Sequence, residues 1–502
     1  MSARQWGVLL VLCGAVFLEG IDVAMLNVAL PVIRADLGLS TGELQWVMSA
    51  YVLGYGGLML LGGRAADLFG RRRMFISWLA VFLLFSGLGG FATEGWMLIT
   101  ARFVTGVAAA FITPAGLSVI TTGFAEGAER DRALLIYSGT GAGGFSLGLV
   151  AGGLLGAADW RWVFFAPVAV SAVLLAAALV LIPRSPRPER APGESMDLAG
   201  AVTATAAIVL LVLTVERAAH GSAVTTAATA VAGLGLLAVF VAVERRAASP
   251  LVRLGILRAP LVRSNLVALL FAAGFFGFQF LVVLYLQELR GWSTLRTSFA
   301  MIVIGIDAIL SPTLTPRLVR RFGNARLILG GMLLAALAYA LFLPVGADWT
   351  YALMLPSLVT LGLAFSLAYG PLTIVATEGV DEEEQGLAGG LLYTFFQFGA
   401  ALGLAGATAV NIAATPSSGS PAALLDGYRA ALLVPFGAAV LAAVVAAFGL
   451  RGRKAEAAVA GRGVEAGAGA GAGVDGGAGT DAGAGTDAGA GTEGAVRAPV
   501  AP

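Results

Sequence analysis

The feature that most constrains this chain is the recurrence of apolar segments of about 20 residues, separated by short charged stretches. A helix of that length crosses a hydrocarbon core of about 30 Å, and it satisfies its own backbone hydrogen bonds while doing so. Apolar residues make up 58% of the chain and charged residues only 12%, unlike the balance of a soluble domain. We therefore predict an all-α integral membrane protein with many spans.

Roughly fourteen such segments follow one another along the chain. They are centred near Val16, Leu58, Phe82, Ala109, Phe145, Ser171, Ile208, Gly233, Phe275, Ile304, Leu333, Leu361, Gly399 and Ala439. An internal repeat divides them, because ADLFGRRR after the second segment is echoed by LVRRFGNAR after the tenth. This repeat favours two duplicated bundles.

We expect four regions in this order. Residues 1–183 form an N-terminal six-helix bundle, and residues 184–263 contain cytoplasmic connectors and two extra transmembrane helices. Residues 264–450 form a C-terminal six-helix bundle. Residues 451–502 are so rich in glycine and alanine that they cannot offset the entropy of ordering, which predicts a disordered cytoplasmic tail.

Arginine alternates between rich and poor loops, and this alternation sets the orientation, since cytoplasmic loops retain positive charge. The arginine-rich loops include 71–73 and 317–321, whereas the loops on the other side carry few arginines, among them Arg34 and Arg161. The pattern predicts a multi-pass protein of the cytoplasmic membrane with both termini in the cytoplasm. The single cysteine, Cys13, permits neither an internal disulfide nor a cysteine-based metal site, and we expect no metal or cofactor.

Four ionisable residues lie within apolar segments, where each costs about 2.5–3.5 kcal/mol at the bilayer centre and so indicates a use. They are Glu19, Asp22, Arg102 and Asp307. Glu19 and Asp22 are one helical turn apart, and low dielectric and mutual repulsion favour a neutral form of one of them, which would exchange a proton. The alternative is that these acids only pair with Arg102 to hold helices together.

The end of the first segment, IDVAMLNVALP, is close to the pattern LDxTIVNVALP and matches it at Asp22, Asn27 and Pro31. The chain thereby resembles the fourteen-helix drug:proton antiporter branch of the major facilitator superfamily. The resemblance implies two six-helix bundles with two inserted central helices, and it implies a role in proton coupling for Asp22. Glu19 is not part of the pattern.

The fourth segment, ARFVTGVAAAFITPAG, resembles the family's RxxQGxGAA followed by a proline, and it matches at Arg102, Gly106 and Pro114. A buried arginine keeps its charge and must find partners, so Arg102 is expected to sense the protonation state of Asp22. Thr105 replaces the family's glutamine.

The loop after the second segment, GRAADLFGRRR, resembles the superfamily's GxLADRxGRK. The matching residues are Gly63, Asp67, Gly70, Arg71 and Arg72. Glycines allow a tight turn, and an acid with a basic cluster can pair with a helix end or another loop, so we expect a cytoplasmic gate. The same arginines also act as a topology signal.

The fifth segment, GTGAGGFSLGLVAGG, resembles the family's antiporter motif through Gly139, Gly148, Gly152 and Gly153, with Leu149 in place of the proline. It also contains a GxGxxG spacing typical of dinucleotide binding. No predicted strand precedes that spacing, and Gly144, Gly148 and Gly152 continue it as tandem GxxxG, so helix–helix contacts explain it better.

Three further residues are candidates for substrate binding or coupling: Asp307, Gln397 and Asn27. Asp307 would attract a cationic substrate or pair with an arginine, and Gln397 would line the cavity or join two helices.

Together these features predict a proton-coupled antiporter that exports a small hydrophobic or amphiphilic compound, such as a drug or antibiotic, by alternating access. The alternatives are a proton-coupled importer, a dedicated exporter of one metabolite, or a non-transporting membrane sensor. No cluster of catalytic spacing indicates an enzyme, and no GxxxxGK[ST] loop indicates use of ATP. The expected partners are the substrate, protons and the lipid bilayer, with no nucleic acid, and the protein is expected to work as a monomer.

Overall fold

The computed structural model describes residues 2–124, 128–183, 197–218, 222–247, 250, 252, 255, 258–377, 385–415 and 420–449. Within these residues the chain is overwhelmingly helical and contains no strand. Residues Met1–Leu450 form one compact unit. The other unit, Arg451–Pro502, which corresponds to the predicted tail, lies outside the described residues.

The helices are named in chain order. They are α1 (Ala3–Leu37), α2 (Thr41–Phe69), α3 (Arg71–Gly90), α4 (Gly95–Gly123), α5 (Ala128–Ala158), α6 (Trp162–Leu181), α7 (Leu198–Ala218), α8 (Ala223–Glu244), α9 (Ala259–Leu284), α10 (Thr294–Met301), α11 (Asp307–Thr313), α12 (Thr315–Phe322), α13 (Asn324–Phe342), α14 (Tyr351–Thr377), α15 (Gln385–Ala414), α16 (Pro421–Ala431) and α17 (433–449). We call the side of the bundle where α1 begins the near side, and the side where α1 ends the far side.

Twelve helical stretches in the described part of the chain are long and apolar enough to cross a membrane. Two shorter apolar stretches, Gly143–Ala158 within α5 and Thr294–Ile306, correspond to the fifth and tenth predicted segments. Every predicted segment centre falls within a helix. The predicted all-helical fold with many spans is therefore confirmed.

Glycines bring α5 directly against α1. A Cβ atom at Gly148 would lie 2.7 Å from the Ile21 carbonyl oxygen, and one at Gly152 would lie 2.6 Å from Met25 Cα. Gly144 meets the backbone of Phe17 in the same way. The three glycines thus form one contact surface on α5, and van der Waals contact between the two backbones stabilises the pair in the absence of a hydrophobic driving force in lipid.

The C-terminal bundle repeats this arrangement. Gly399 and Gly403 of α15 contact the α9 backbone at Leu269 and Ala273, so each bundle packs its first helix against its fifth through glycines. A glycine also allows close backbone contact between α4 and α2 of the N-terminal bundle, where Gly106 contacts the Tyr51 backbone. Close backbone contacts place polar groups of neighbouring helices within reach of one another.

The two inserted helices differ in their surroundings. α7 packs against α2 and α15, which belong to different bundles, and the Thr205 hydroxyl donates a hydrogen bond of 3.1 Å to the Gly57 carbonyl oxygen. α8 packs on α7, and nearly all of its residues are at least partly exposed. α7 therefore fills a position between the bundles, whereas α8 presents its surface to lipid.

The tenth span is not one continuous helix. Its helical path changes from α10 to a 3₁₀ turn at Ile302–Ile306, then to α11 and α12. Pro312 and Pro316 accompany the break, since each lacks the amide hydrogen that a continuous helix needs. A π-helical turn at Tyr285–Leu289 similarly ends α9. Such irregular turns are frequent at functional sites.

Candidate functional site

A buried ion pair joins α1 to α4 in the N-terminal bundle. Arg102 Nη1 lies 2.6 Å from Asp22 Oδ2, and both side chains are 2% exposed. The two residues are far apart in the sequence and meet because α1 and α4 pack in the same bundle. Two opposite charges removed from water in this way stabilise each other only with good geometry, which the short distance provides.

Tyr51 of α2 completes the surroundings of Arg102. Its ring centroid lies 4.3 Å from the guanidinium carbon, within the range of a cation–π interaction. The close contact at Gly106 permits this position, because a Cβ there would collide with the Tyr51 backbone. Thr105, which replaces the family's glutamine, turns its hydroxyl to the Arg102 carbonyl oxygen at 2.9 Å.

Glu19 has different partners from Asp22. The Tyr55 hydroxyl donates to Glu19 Oε2 at 2.8 Å, and the Thr113 hydroxyl lies 2.6 Å from Glu19 Oε1. Tyr55 and Thr113 are themselves 2.7 Å apart, so the three side chains form one hydrogen-bonded cluster. Sequence reasoning found Glu19 because it is charged, but it missed both hydroxyl partners, since Tyr and Thr are unremarkable in an apolar helix.

The Glu19 cluster reaches the C-terminal bundle through aromatic rings. The Tyr55 and Tyr393 ring centroids are 5.2 Å apart, and Tyr393 is on α15. Gln397, one turn further along α15, is buried and packs against Gly56 of α2. Gln397 therefore lies in the contact between the two bundles. The sequence left open whether it lines the cavity or joins two helices.

Asn27 also makes a contact between the bundles. Its side-chain amide nitrogen donates to Gln279 Oε1 of α9 at 3.2 Å, and both residues are buried. Asn27 Oδ1 and Gln279 Nε2 have no partner among the described residues. Gln279 was not among the candidates from the sequence.

On the far side, Arg34 Nη1 of α1 lies 2.6 Å from Glu288 Oε1 in the π-helical turn that follows α9. The Gln287 amide donates to the Val28 carbonyl oxygen at 2.9 Å, so backbone and side chains both join the bundles there. Arg34 was expected in a loop, but it lies in the last turn of α1. A cation is favourable there because the carbonyl end of a helix is negative.

The predicted gate motif lies on the near side, between α2 and α3. Gly70 has φ +97°, a conformation that favours glycine, and it separates the two helices. Arg72 donates to the carbonyl oxygens of Leu179 and Ile182 at the end of α6, both at 2.8 Å.

The other members of the motif lie on either side of this turn. Gly63 faces Pro114 of α4, and Arg71 begins α3. Asp67 lies on α2, and its side chain is outside what the structure describes. The structure thus places Arg72 on a helix end, and the gating role stays a prediction.

The antiporter glycines divide between two surfaces. Gly148 and Gly152 contact α1, and Gly139 lies earlier on α5. A Cβ at Gly153 would instead collide with Ser298 of α10, which belongs to the other bundle. Asp307 begins α11 and is half-buried.

A helical bundle with many spans is the architecture of a multi-pass membrane protein, and buried ionisable side chains inside such a bundle are typical of transport pathways. The sequence pattern of the Major Facilitator Superfamily matches residues 12–404. This chain belongs to that superfamily.

Two relatives show the nature of the similarity. The chain is 37% identical to the puromycin resistance protein pur8 of Streptomyces alboniger over 88% of this chain and 91% of that one. It is 36% identical to the cephamycin export protein CmcT of Amycolatopsis lactamdurans over 84% and 87% of the two chains. Among solved structures, the POT family transporter PepTSo matches with a TM-score of 0.65 at 13% identity, covering 90% of this chain and 99% of that one, which shows the fold alone.

Proposed function

We propose that this protein is a secondary active transporter that exports a small hydrophobic or amphiphilic compound in exchange for protons. The observation that carries this proposal is the buried group of Glu19, Asp22 and Arg102, which contains two acids and one base. Such groups cost several kcal/mol in a membrane and mark proton pathways. The named activities of the relatives, puromycin resistance and cephamycin export, support a drug or antibiotic as the substrate.

The orientation follows from charge. The near side carries the arginines 71–73 after α2 and Arg320 and Arg321 in the last turn of α12, so we assign it to the cytoplasm together with both chain termini. Proton entry from the far side gains about 2.3 kcal/mol per 100 mV of membrane potential, in addition to the pH gradient. That free energy is available to drive export by alternating access, with one copy of the chain as the transporting unit.

The far-side contacts describe one state of this cycle. The Asn27–Gln279 hydrogen bond and the Arg34–Glu288 ion pair both join the bundles on or towards the far side. Export requires these contacts to break when the transporter opens outward, and they re-form when it returns. Polar contacts of this kind suit a reversible closure because water replaces each of them at small net cost.

The test is uptake of puromycin and a cephamycin into inside-out vesicles that contain the full chain and are energised by a proton gradient. We expect accumulation that collapses with the gradient and falls at least tenfold in Asp22→Asn. The matched control is Asp426→Asn, because the Asp426 side chain is 66% exposed and lies outside the buried group. Proton-coupled movement of the compound out of the vesicles would favour an importer. Transport of one metabolite alone would favour a dedicated exporter.

A further inference from the structure

The two carboxyl groups of α1 differ in what balances their charge. Asp22 is in an ion pair with Arg102, and the Arg102 guanidinium also lies over the Tyr51 ring. Within the described part of the chain, Glu19 has only the hydroxyl groups of Tyr55 and Thr113 as partners. Two acids and one cation therefore lie in this group, and the cation, Arg102, forms its ion pair with Asp22.

The number of protons available in the Glu19 cluster also favours a neutral Glu19. Thr113 Oγ1 lies 2.6 Å from Glu19 Oε1, 2.7 Å from the Tyr55 hydroxyl and 3.1 Å from the Ala109 carbonyl oxygen, and Tyr55 lies 2.8 Å from Glu19 Oε2. Each contact needs one proton between its two oxygens, and each hydroxyl has only one to donate. A protonated Glu19 supplies a further proton, so the neutral form of Glu19 satisfies more of these contacts than the carboxylate.

Among the described residues, the titratable groups that interact with Glu19 include no cation. They are Asp22 of α1, Tyr51 and Tyr55 of α2, Tyr137 of α5, and Tyr393 of α15. Arg102 of α4 is paired with Asp22 instead. Loss of a proton from Glu19 would leave an uncompensated negative charge at low dielectric, whereas Asp22 keeps its partner.

We propose that Glu19 is the carboxyl group that gains and loses the coupled proton, and that Asp22 is a positioning residue that fixes Arg102 and Tyr51. This assignment rests on the proposed function and specifies which residue performs its proton step. It differs from the family pattern, which emphasises the position of Asp22. The proton moves between water and Glu19 Oε1 or Oε2, and no other bond forms or breaks.

The assignment also explains how the proton step reaches the other bundle. Tyr55 contacts both Glu19 and the ring of Tyr393 on α15. Deprotonated Glu19 needs the Tyr55 hydroxyl as a donor. Protonated Glu19 can itself donate to Thr113, so it no longer needs the hydrogen bond from Tyr55. The position of the Tyr55 ring, and with it the contact to Tyr393, therefore depends on the proton at Glu19.

The experiment is infrared spectroscopy of the full chain in liposomes, recorded as a pH titration in the region where protonated carboxyl groups absorb. We expect a band from a neutral buried carboxylic acid that disappears as the pH rises. The band is lost in Glu19→Gln and kept in the double variant Asp22→Asn/Arg102→Gln, which removes both charges of the ion pair. Glu94→Gln, at an exposed glutamate, is the matched control and keeps the band.

A second variant keeps the test valid if Glu19→Gln does not fold. Tyr55→Phe retains the carboxyl group and removes one hydrogen-bond donor to it, so the band shifts to higher frequency. Any one of four results overturns the assignment. They are an unshifted band in Tyr55→Phe, a band that survives in Glu19→Gln, a band that vanishes in the double variant, and the absence of a titrating band in the native protein.

The spectroscopic result is independent of the transport assay. A band that depends on Glu19 in a protein without gradient-driven uptake refutes the proposed function and leaves Glu19 as the titrating group. Gradient-driven uptake in a protein whose band ignores Glu19 refutes this assignment and leaves the proposed function intact.

Discussion

Arg34 and Glu288 form an ion pair of 2.6 Å that joins the end of α1 to the end of α9 on the far side. Tyr428 adds a hydrogen bond of 3.2 Å to the same carboxylate, so α16 takes part in the contact. Arg34, Glu288, Tyr428 and Asn411 all line a cavity of about 370 Å³. The pair thus closes the far side at the point where the two bundles meet.

Weakening this pair is expected to open the far side more often. The side chains are 32% and 22% exposed, so the pair contributes about 0.2–1 kcal/mol, and Glu288→Gln should raise the open population by a factor of about 1.4 to 5. The measurement is the labelling rate of Asn411→Cys by a membrane-impermeant maleimide, in a Cys13→Ala background. The charge-swapped variant Arg34→Glu/Glu288→Arg should restore slow labelling, and equal rates in all variants would contradict the closure.

Breaking the buried ion pair on one side should destabilise the protein more than removing it entirely. Asp22→Asn or Arg102→Gln leaves a buried charge without its partner and is expected to cost about 3–5 kcal/mol. The double variant should regain a large part of that stability, because no uncompensated charge remains. Unfolding in detergent gives the coupling energy of this cycle, and purely additive effects would show that the two charges act independently.

The contact between α5 and α1 predicts a sharp difference between two neighbouring glycines. Gly148→Ala places a Cβ 2.7 Å from the Ile21 carbonyl oxygen, and since backbone must shift, the expected cost is about 1–3 kcal/mol. Gly143→Ala is the control, because a Cβ there has no atom within 4 Å among those described. The thermal unfolding midpoint should fall in the first variant only. A fall of equal size in both would contradict the α1 contact as the cause, and a rise in both would show that the higher helix propensity of alanine outweighs it.

Arg72→Gln should loosen the near side of the N-terminal bundle. It removes two charge-assisted hydrogen bonds to the α6 carbonyl groups of Leu179 and Ile182, worth about 1.5–3 kcal/mol before the exposure of the side chain reduces them. Hydrogen exchange at the end of α6 measures the effect. Arg73→Gln, at an exposed neighbour on the same helix, serves as the comparison. Exchange that is unchanged in Arg72→Gln would show that the α6 end is held by packing alone.

Much of the fold was predictable from the sequence because the signal is local. A span needs only a run of apolar residues, and the position of that run predicts where a helix crosses the membrane. Glu19, Asp22 and Arg102 were recognisable for the same reason, since a charge inside such a run is costly and therefore conspicuous. The glycine spacing of α5 indicated a helix contact before α1 was known as the partner.

The choice of partners was not predictable in this way. Thr113 is 94 residues from Glu19, and Glu288 is 254 residues from Arg34, so neither pairing leaves a pattern along the chain. The tenth span read as one apolar helix, although the structure divides it at Ile302–Ile306 and again before α12. The divided path packs against α5 and α14, and the apolar run gave no indication of these partners.

By itself, then, the sequence determined that the chain crosses the membrane many times as helices and which ionisable groups those helices contain. Only the tertiary structure decided that the one buried arginine of this group pairs with Asp22 and leaves Glu19 among hydroxyl groups. The physical reason is distance. Hydrophobicity acts on each segment separately, whereas an ion pair or hydrogen bond forms only within about 3–4 Å and therefore depends on how whole helices pack.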